Sequence, residues 1–213
     1  GMIDLCFNRS GDKILLFRRD GSALEVFSTT DGAKLSKIRT PDLQRASHAL
    51  FVGDGEEIVI AIGRPSATGG EETVVLKLDA ESGRPHEELV IEQGITSMAI
   101  SPDDSGVAIG LPDGSVVFLR AEELGFQKHL RAHDDAVSML AYHPHQPHIA
   151  TASTDLSVKV WDYETGELLN HYLGISSRPN DLEFSPSGEL LALIDNGESV
   201  RIWKLADTRV GEF

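Results

Sequence analysis

The sequence predicts an all-β fold built from repeated units of four short antiparallel strands. Three observations predict it: short runs that alternate apolar and polar residues, turn chemistry between them, and a return of the pattern about every 42 residues. Alternation is strict in Val158-Lys159-Val160-Trp161-Asp162 and Val200-Arg201-Ile202-Trp203-Lys204, as expected of strands with a buried face. Gly, Pro, Asp and Asn in SPSG, DNG, SPDD, PDG and TDG supply the backbone angles that tight reversals need.

Two independent series mark the repeat. Phe27, Leu78, Leu119, Trp161 and Trp203 close the third strand of successive units, at spacings of 51, 41, 42 and 42 residues. Phe7, Phe51, Ile100, Tyr142 and Phe184 close the first strand, at spacings of 44, 49, 42 and 42. Together they divide the chain into units of about 3–45, 46–94, 95–135, 136–178 and 179–213, read as one domain. Within the fifth unit the strands are NDLEFS, GELLALI and SVRIWKL, with a last strand at TRVGEF. Residues 121–133 are the best helix candidate, but Gly125 and the place in the repeat predict a turn and fourth strand. A unit of this length with four short strands is a β-propeller blade.

The fourth unit carries Ala132-His133, then Ser153-Thr154-Asp155, then Trp161-Asp162. On these residues the chain resembles the WD40-repeat family, strongly in units three to five and more weakly in the first two. The terminal dipeptide is eroded to Leu119-Arg120 in unit three and Trp203-Lys204 in unit five. The resemblance implies a buried hydrogen-bond network of His133, Asp155, Trp161 and a hydroxyl, either Ser153 or Thr151, which share one strand face. Such propellers usually have seven blades. With five units here, a piece of a larger propeller, a five-bladed ring, and an open arc completed by self-association or another chain all stay open.

Charge and composition narrow the function classes. A net charge of −15 over 213 residues repels phosphate backbones. The basic residues Arg9, Lys13, Arg18 and Arg19 cluster only locally, so nucleic acid is a disfavoured partner. No run of about 18 apolar residues is present, which predicts no membrane span. The start lacks a basic segment followed by an apolar one, so no signal peptide is expected. One cysteine, Cys6, permits no intrachain disulfide; an intracellular setting, cytoplasmic or nuclear, is expected.

Three stretches look chemical. His143, His145 and His148 in HPHQPH could suggest zinc, yet they occupy a turn position, and no Cys or carboxylate stands at zinc spacing. They are read as a solvated turn. Asp155, His133 and Ser153 could suggest a hydrolase triad, but no nucleophile elbow accompanies them. Residues 63–72, GRPSATGGEE, are Gly-rich without the Lys-Ser/Thr of a phosphate loop, and are read as a long loop. No catalytic, cofactor-binding or metal-ligating residue is predicted.

By analogy with WD40 propellers, the expected function is a noncatalytic protein-interaction scaffold or adaptor. Partners would be proteins or peptides, with basic ones favoured by the acidic charge. The candidate binding loops contain His48, Arg64, Asp134, Asp135, Arg178 and Asn180, with Arg178 first among them. The alternative is a propeller-based hydrolase with a site in the central channel, where the inner strands offer Asp4, His48, Asp181 and Glu183.

Overall fold

Each predicted alternating run becomes a strand in the computed structural model, which describes residues 3–18, 23–39, 42–67, 69–197 and 199–205. Of Ile3, Asp4 and Arg18 only the backbone is described, and Arg19 lies outside the described residues. The first sheet holds β1 (Ile3–Phe7), β2 (Lys13–Arg18), β3 (Leu24–Ser28) and β4 (Lys34–Ile38). After a 3-10 turn at Leu43–Arg45, the second holds β5 (Ala46–Val52), β6 (Glu57–Pro65), β7 (Glu71–Asp79) and β8 (Pro85–Ile91). The third holds β9 (Ser97–Ile100), β10 (Gly106–Gly110), β11 (Ser115–Arg120) and β12 (Gly125–Arg131). The fourth holds β13 (Val137–Tyr142), β14 (His148–Ser153), β15 (Ser157–Asp162) and β16 (Leu168–Leu173). The fifth holds β17 (Pro179–Phe184), β18 (Leu190–Asp195) and β19 (Val200–Lys204).

Every sheet orders its strands as they follow in the chain, as propeller blades do. The fold is all-β. The fourth strand expected at 208–213 falls outside the described residues. Residues 121–133 form a turn and β12, in which half-buried Lys128 and Leu130 alternate with exposed Gln127, His129 and Arg131, as in a strand rather than a helix.

The chain divides into two compact units, one of residues 1–95, 103–107 and 118–127, the other of 96–102, 108–117 and 128–213. In the first, Leu15, Phe17, Leu24 and Val26 of blade 1 pack on Phe51, Ile58 and Ile60 of blade 2. In the second, Ala150, Ala152, Val158 and Val160 of blade 4 pack on Leu182, Leu191 and Leu193 of blade 5. Each large aliphatic side chain so buried contributes about 1.5–3 kcal/mol. The alternating pattern therefore decides both strand orientation and which blades touch.

Two details correct the sequence reading. Residues 63–72 are no long loop: β6 and β7 pair through Arg64↔Glu72 and Pro65↔Glu71, leaving a short reversal in which Ser66 N–H donates to Gly70 O. Three inner strands also carry a register shift at the same place, between Ala46 and His48, Val137 and Met139, and Pro179 and Asp181. The extra residues are Ser47, Ser138 and Asn180, each turned out of the ladder as bulge residues are.

Gly114 shows how tightly the β10–β11 turn is held. Its φ is +86°, and its carbonyl accepts from the N–H groups of Ala132 and His133. A Cβ there would clash with the backbone carbonyl oxygen of His133. Gly114→Ala is expected to cost about 2–4 kcal/mol, from left-handed strain plus a backbone clash. Gly32→Ala, at φ +71° with open space around it, should lose only about 1–2 kcal/mol. Urea unfolding of both variants measures the difference; equal losses would contradict it.

Candidate functional site

The Trp-Asp blade is organised from β14, β15 and the loop before β13. Thr151 on β14 and Trp161 on β15 lie on the same face as Lys159, because alternate residues share a side. Trp161 Nε1–H donates to Thr151 Oγ1 at 3.1 Å, and Thr151 Oγ1 lies 2.7 Å from His133 Nε2. His133 Nδ1 is 2.9 Å from Asp155 Oδ2 and 3.0 Å from Ser157 Oγ. Ser157 Oγ–H in turn donates to Asp155 Oδ1 at 2.6 Å. One arrangement of protons satisfies all of these: a neutral His133 carrying its hydrogen on Nδ1, with the Thr151 hydroxyl donating to Nε2.

Charge follows from that geometry. Burial holds the His133 imidazole below its ordinary 6.5, outweighing the nearby Asp155 carboxylate that pulls the other way. For Asp155, burial acts to raise the carboxyl, but donation from Ser157 and His133 outweighs it and leaves the group below its usual range. The network is thus a neutral imidazole donating to a carboxylate.

Ser153, the other hydroxyl considered from the sequence, is not the link between imidazole and indole. Its Oγ–H donates to Asp135 O at 2.9 Å and accepts from Asp155 N–H at 3.0 Å. It ties the loop before β13 to the β14–β15 turn instead. The order Asp155–His133–Thr151 has the connectivity of a nucleophilic triad, but Thr151 is fully buried and its hydroxyl holds the indole, so no substrate reaches it.

Blade 5 carries a second buried hub that the sequence reading missed. Asp195 stands at the position of Ser153, two residues before Gly197, which is the residue that aligns with Asp155. Its carboxylate accepts from Ser176 Oγ–H at 2.9 Å, Gly197 N–H at 3.0 Å and Ser199 N–H at 3.1 Å. Burial acts to raise its pKa, and these donors outweigh it and leave it lowered. The turn sequence Asp195-Asn196-Gly197 was the available signal.

The histidine turn is solvated only in part: His145 and Gln146 are exposed, but His143 is not. His143 is buried; its Nδ1 accepts from the N–H groups of His145 and Gln146, and its Nε2 donates to Gly188 O. His145 Nε2 donates to Pro186 O. Both rings latch the β13–β14 turn onto the β17–β18 turn. Among the described residues no group of three or more His, Cys, Asp or Glu could hold a metal ion.

The candidate binding residues fall into two sets. In the second unit, Asp134, Asp135, Arg178 and Asn180 are all exposed. Their backbones are fixed: Asp134 N–H donates to Asp155, Ser153 bonds Asp135 O, and Asn196 N–H donates to Arg178 O. Asn180 lies at the bulge of β17 rather than in a loop. In the first unit, His48 lies within β5 with Nδ1 2.9 Å from Ser47 Oγ, and Arg64 lies within β6, its guanidinium engaged by Glu72. Of the channel candidates, Asp181 and Glu183 are exposed on blade 5, and the Asp4 side chain lies outside the described residues.

Sheet topology and this network define a β-propeller blade of the WD type. Residues 125–162, from β12 to the end of β15, match the family model described as WD domain, G-beta repeat; the chain carries a WD40 repeat. Over 82 residues it is 35% identical to nuclear distribution protein nudF 2 of Aspergillus clavatus, covering 37% of this chain and 19% of that protein. It is 23% identical over 218 residues to U3 small nucleolar RNA-associated protein 4 homolog of Homo sapiens, covering 97% of this chain and 30% of that protein. It is 34% identical over 76 residues to nuclear distribution protein PAC1 of Arthroderma benhamiae, covering 35% and 16%. The chain thus spans a third or less of the length of these relatives.

Thr151→Val removes the only hydroxyl between His133 and Trp161 and is expected to cost about 2–4 kcal/mol by urea unfolding, since two buried groups lose a partner. Thr151→Ser should recover most of it. A loss below about 0.5 kcal/mol for the Val variant would mean the link is not formed. The buried histidines also fix a pH response. Burial lowers His133, His143 and His148 below 6.5, so the unfolded chain binds more protons as pH falls through that value. Stability is complete above it and declines below it. Unfolding between about pH 7.5 and pH 5.5 should show this decline, and His143→Gln should flatten it.

Proposed function

We propose that the chain is a noncatalytic protein-interaction scaffold that presents the loop edge of blades 4 and 5 to protein or peptide partners. One observation carries this: Asp134, Asp135 and Arg178 expose their side chains while hydrogen bonds fix the backbone on which they stand, and Asn180 is exposed at the bulge of β17. A preorganised polar edge loses little entropy when it binds. The likeness to nudF, PAC1 and the nucleolar RNA-associated protein supports an intracellular setting, cytoplasmic or nuclear, and a role as a component of assemblies.

The two adjacent carboxylates and the net charge of −15 favour partners with a basic segment. Arg178 is the anchor, because a guanidinium offers five donors on a plane. His48 and Arg64 belong to the first unit and are a weaker part of this reading, since Arg64 is already held by Glu72.

Affinity capture from lysate, with the wild-type chain and an Asp134→Ala/Asp135→Ala/Arg178→Ala variant of equal stability, tests the reading. Loss of the captured set with the variant is expected, with Arg178→Ala alone weakening a purified partner about tenfold. Unchanged capture by the triple variant would remove this edge from consideration.

A further inference from the structure

Position 156 holds a residue that its backbone does not suit. Leu156 has φ +65°, in the left-handed region that is costly for every residue except glycine and, to a lesser degree, asparagine and aspartate. One repeat of 42 residues earlier, the same turn position is Gly114. Among the described non-glycine residues with positive φ, Asp42 and Asp104 are of a type that accepts it, and Leu124 is 2% exposed, so burial offsets its strain. Leu156 has no such offset, because its side chain is 41% exposed.

Leu173 stands next to this turn. Its partner in the β15–β16 ladder is Ser157, the residue after Leu156, and its side chain is 71% exposed. The turn is stitched to the loop before β13. Leu156 N–H donates to Ser153 O, Thr154 N–H donates to Ala136 O, and the Asp155 carboxylate accepts from Asp134 N–H. Two exposed leucines and the exposed side chains of Asp134 and Asp135 thus stand on one fixed frame, all of it within the second unit.

We propose that Leu156 is the apolar anchor of the loop edge, and that the edge takes a short extended segment of a partner protein in which an aliphatic or aromatic residue stands close to a lysine or arginine. The inference rests on the loop-edge reading above and names the partner's chemistry. The apolar side chain of the segment covers Leu156 and Leu173 and removes both from water. Its cation meets Asp134 and Asp135, and the net charge of −15 draws such a segment in. An extended segment advances about 3.3 Å per residue, which sets the two recognised residues within about three positions of each other. Glycine or asparagine at 156 would relax the turn and abolish the anchor. Strain and exposure together therefore mark a residue held for contact rather than for folding.

Selection of random phage-displayed peptides on the purified chain tests it. Enriched sequences should carry an apolar residue within about three positions of Lys or Arg. Enrichment of sequences that are basic alone, or no enrichment, would overturn the inference. Fluorescence anisotropy with one enriched peptide then compares variants. Leu156→Asn should bind about tenfold more weakly, and Leu156→Met should stay within about threefold of wild type. In urea, Leu156→Asn should unfold at the wild-type concentration or a higher one, because asparagine accepts the left-handed backbone. A lower midpoint would mean that Leu156 serves packing, and unchanged peptide affinity would mean that it anchors nothing; either result overturns the inference. The Asp134→Ala/Asp135→Ala/Arg178→Ala variant separates the two readings. If that variant loses the peptide and Leu156→Asn does not, the loop edge stands and the anchor falls; if neither loses it, both fall.

Discussion

Burial of one sheet face against the next is the interaction on which everything else here depends. A strand such as Val158-Lys159-Val160-Trp161 has side chains to hide on both sides, and one sheet by itself can hide neither. Stacking blade on blade resolves this: Val158 and Val160 disappear under Leu182, Leu191 and Leu193. The opposite face of the same sheet then has to enclose Thr151, Ser153 and Trp161. Polar groups in that position are tolerable only if each finds a partner.

The hydrogen-bond network follows from that constraint. Trp161, Thr151, His133, Ser157 and Asp155 form one continuous chain of donors and acceptors. It links two strands with the loop that enters the blade. Asp155 and Ser153 then hold the backbone of Asp134 and Asp135 in place. The path from sequence to function is short here: the same residues that satisfy a buried indole also fix the loop edge proposed to meet a partner. Blade 5 reaches the same end with different chemistry, placing one carboxylate, Asp195, beneath its turn.

The sequence disclosed the period, the strand order and the Trp-Asp blade, because alternation and turn residues are local signals. It did not separate Thr151 from Ser153, since both lie on one face and only the depth of the indole decides between them. Asp195 was hidden because alignment places Gly197, not Asp195, opposite Asp155; a carboxylate two residues away reaches the same turn amides. His143 looked solvated because two prolines and two further histidines surround it, whereas its burial comes from the Gly188 turn 45 residues later. The bulges at Ser47, Ser138 and Asn180 have no composition signal at all. They show only in strand register.

Coupling between facing blades tests the central claim most directly. A double-mutant cycle of Val160→Ala on blade 4 and Leu191→Ala on blade 5, read by urea unfolding, isolates the contact between them. If the two sheets bury each other, the double variant should lose less than the sum of the single losses, by about 0.5 kcal/mol or more. Strict additivity would mean that each face is buried by something other than its neighbour, and would contradict the account.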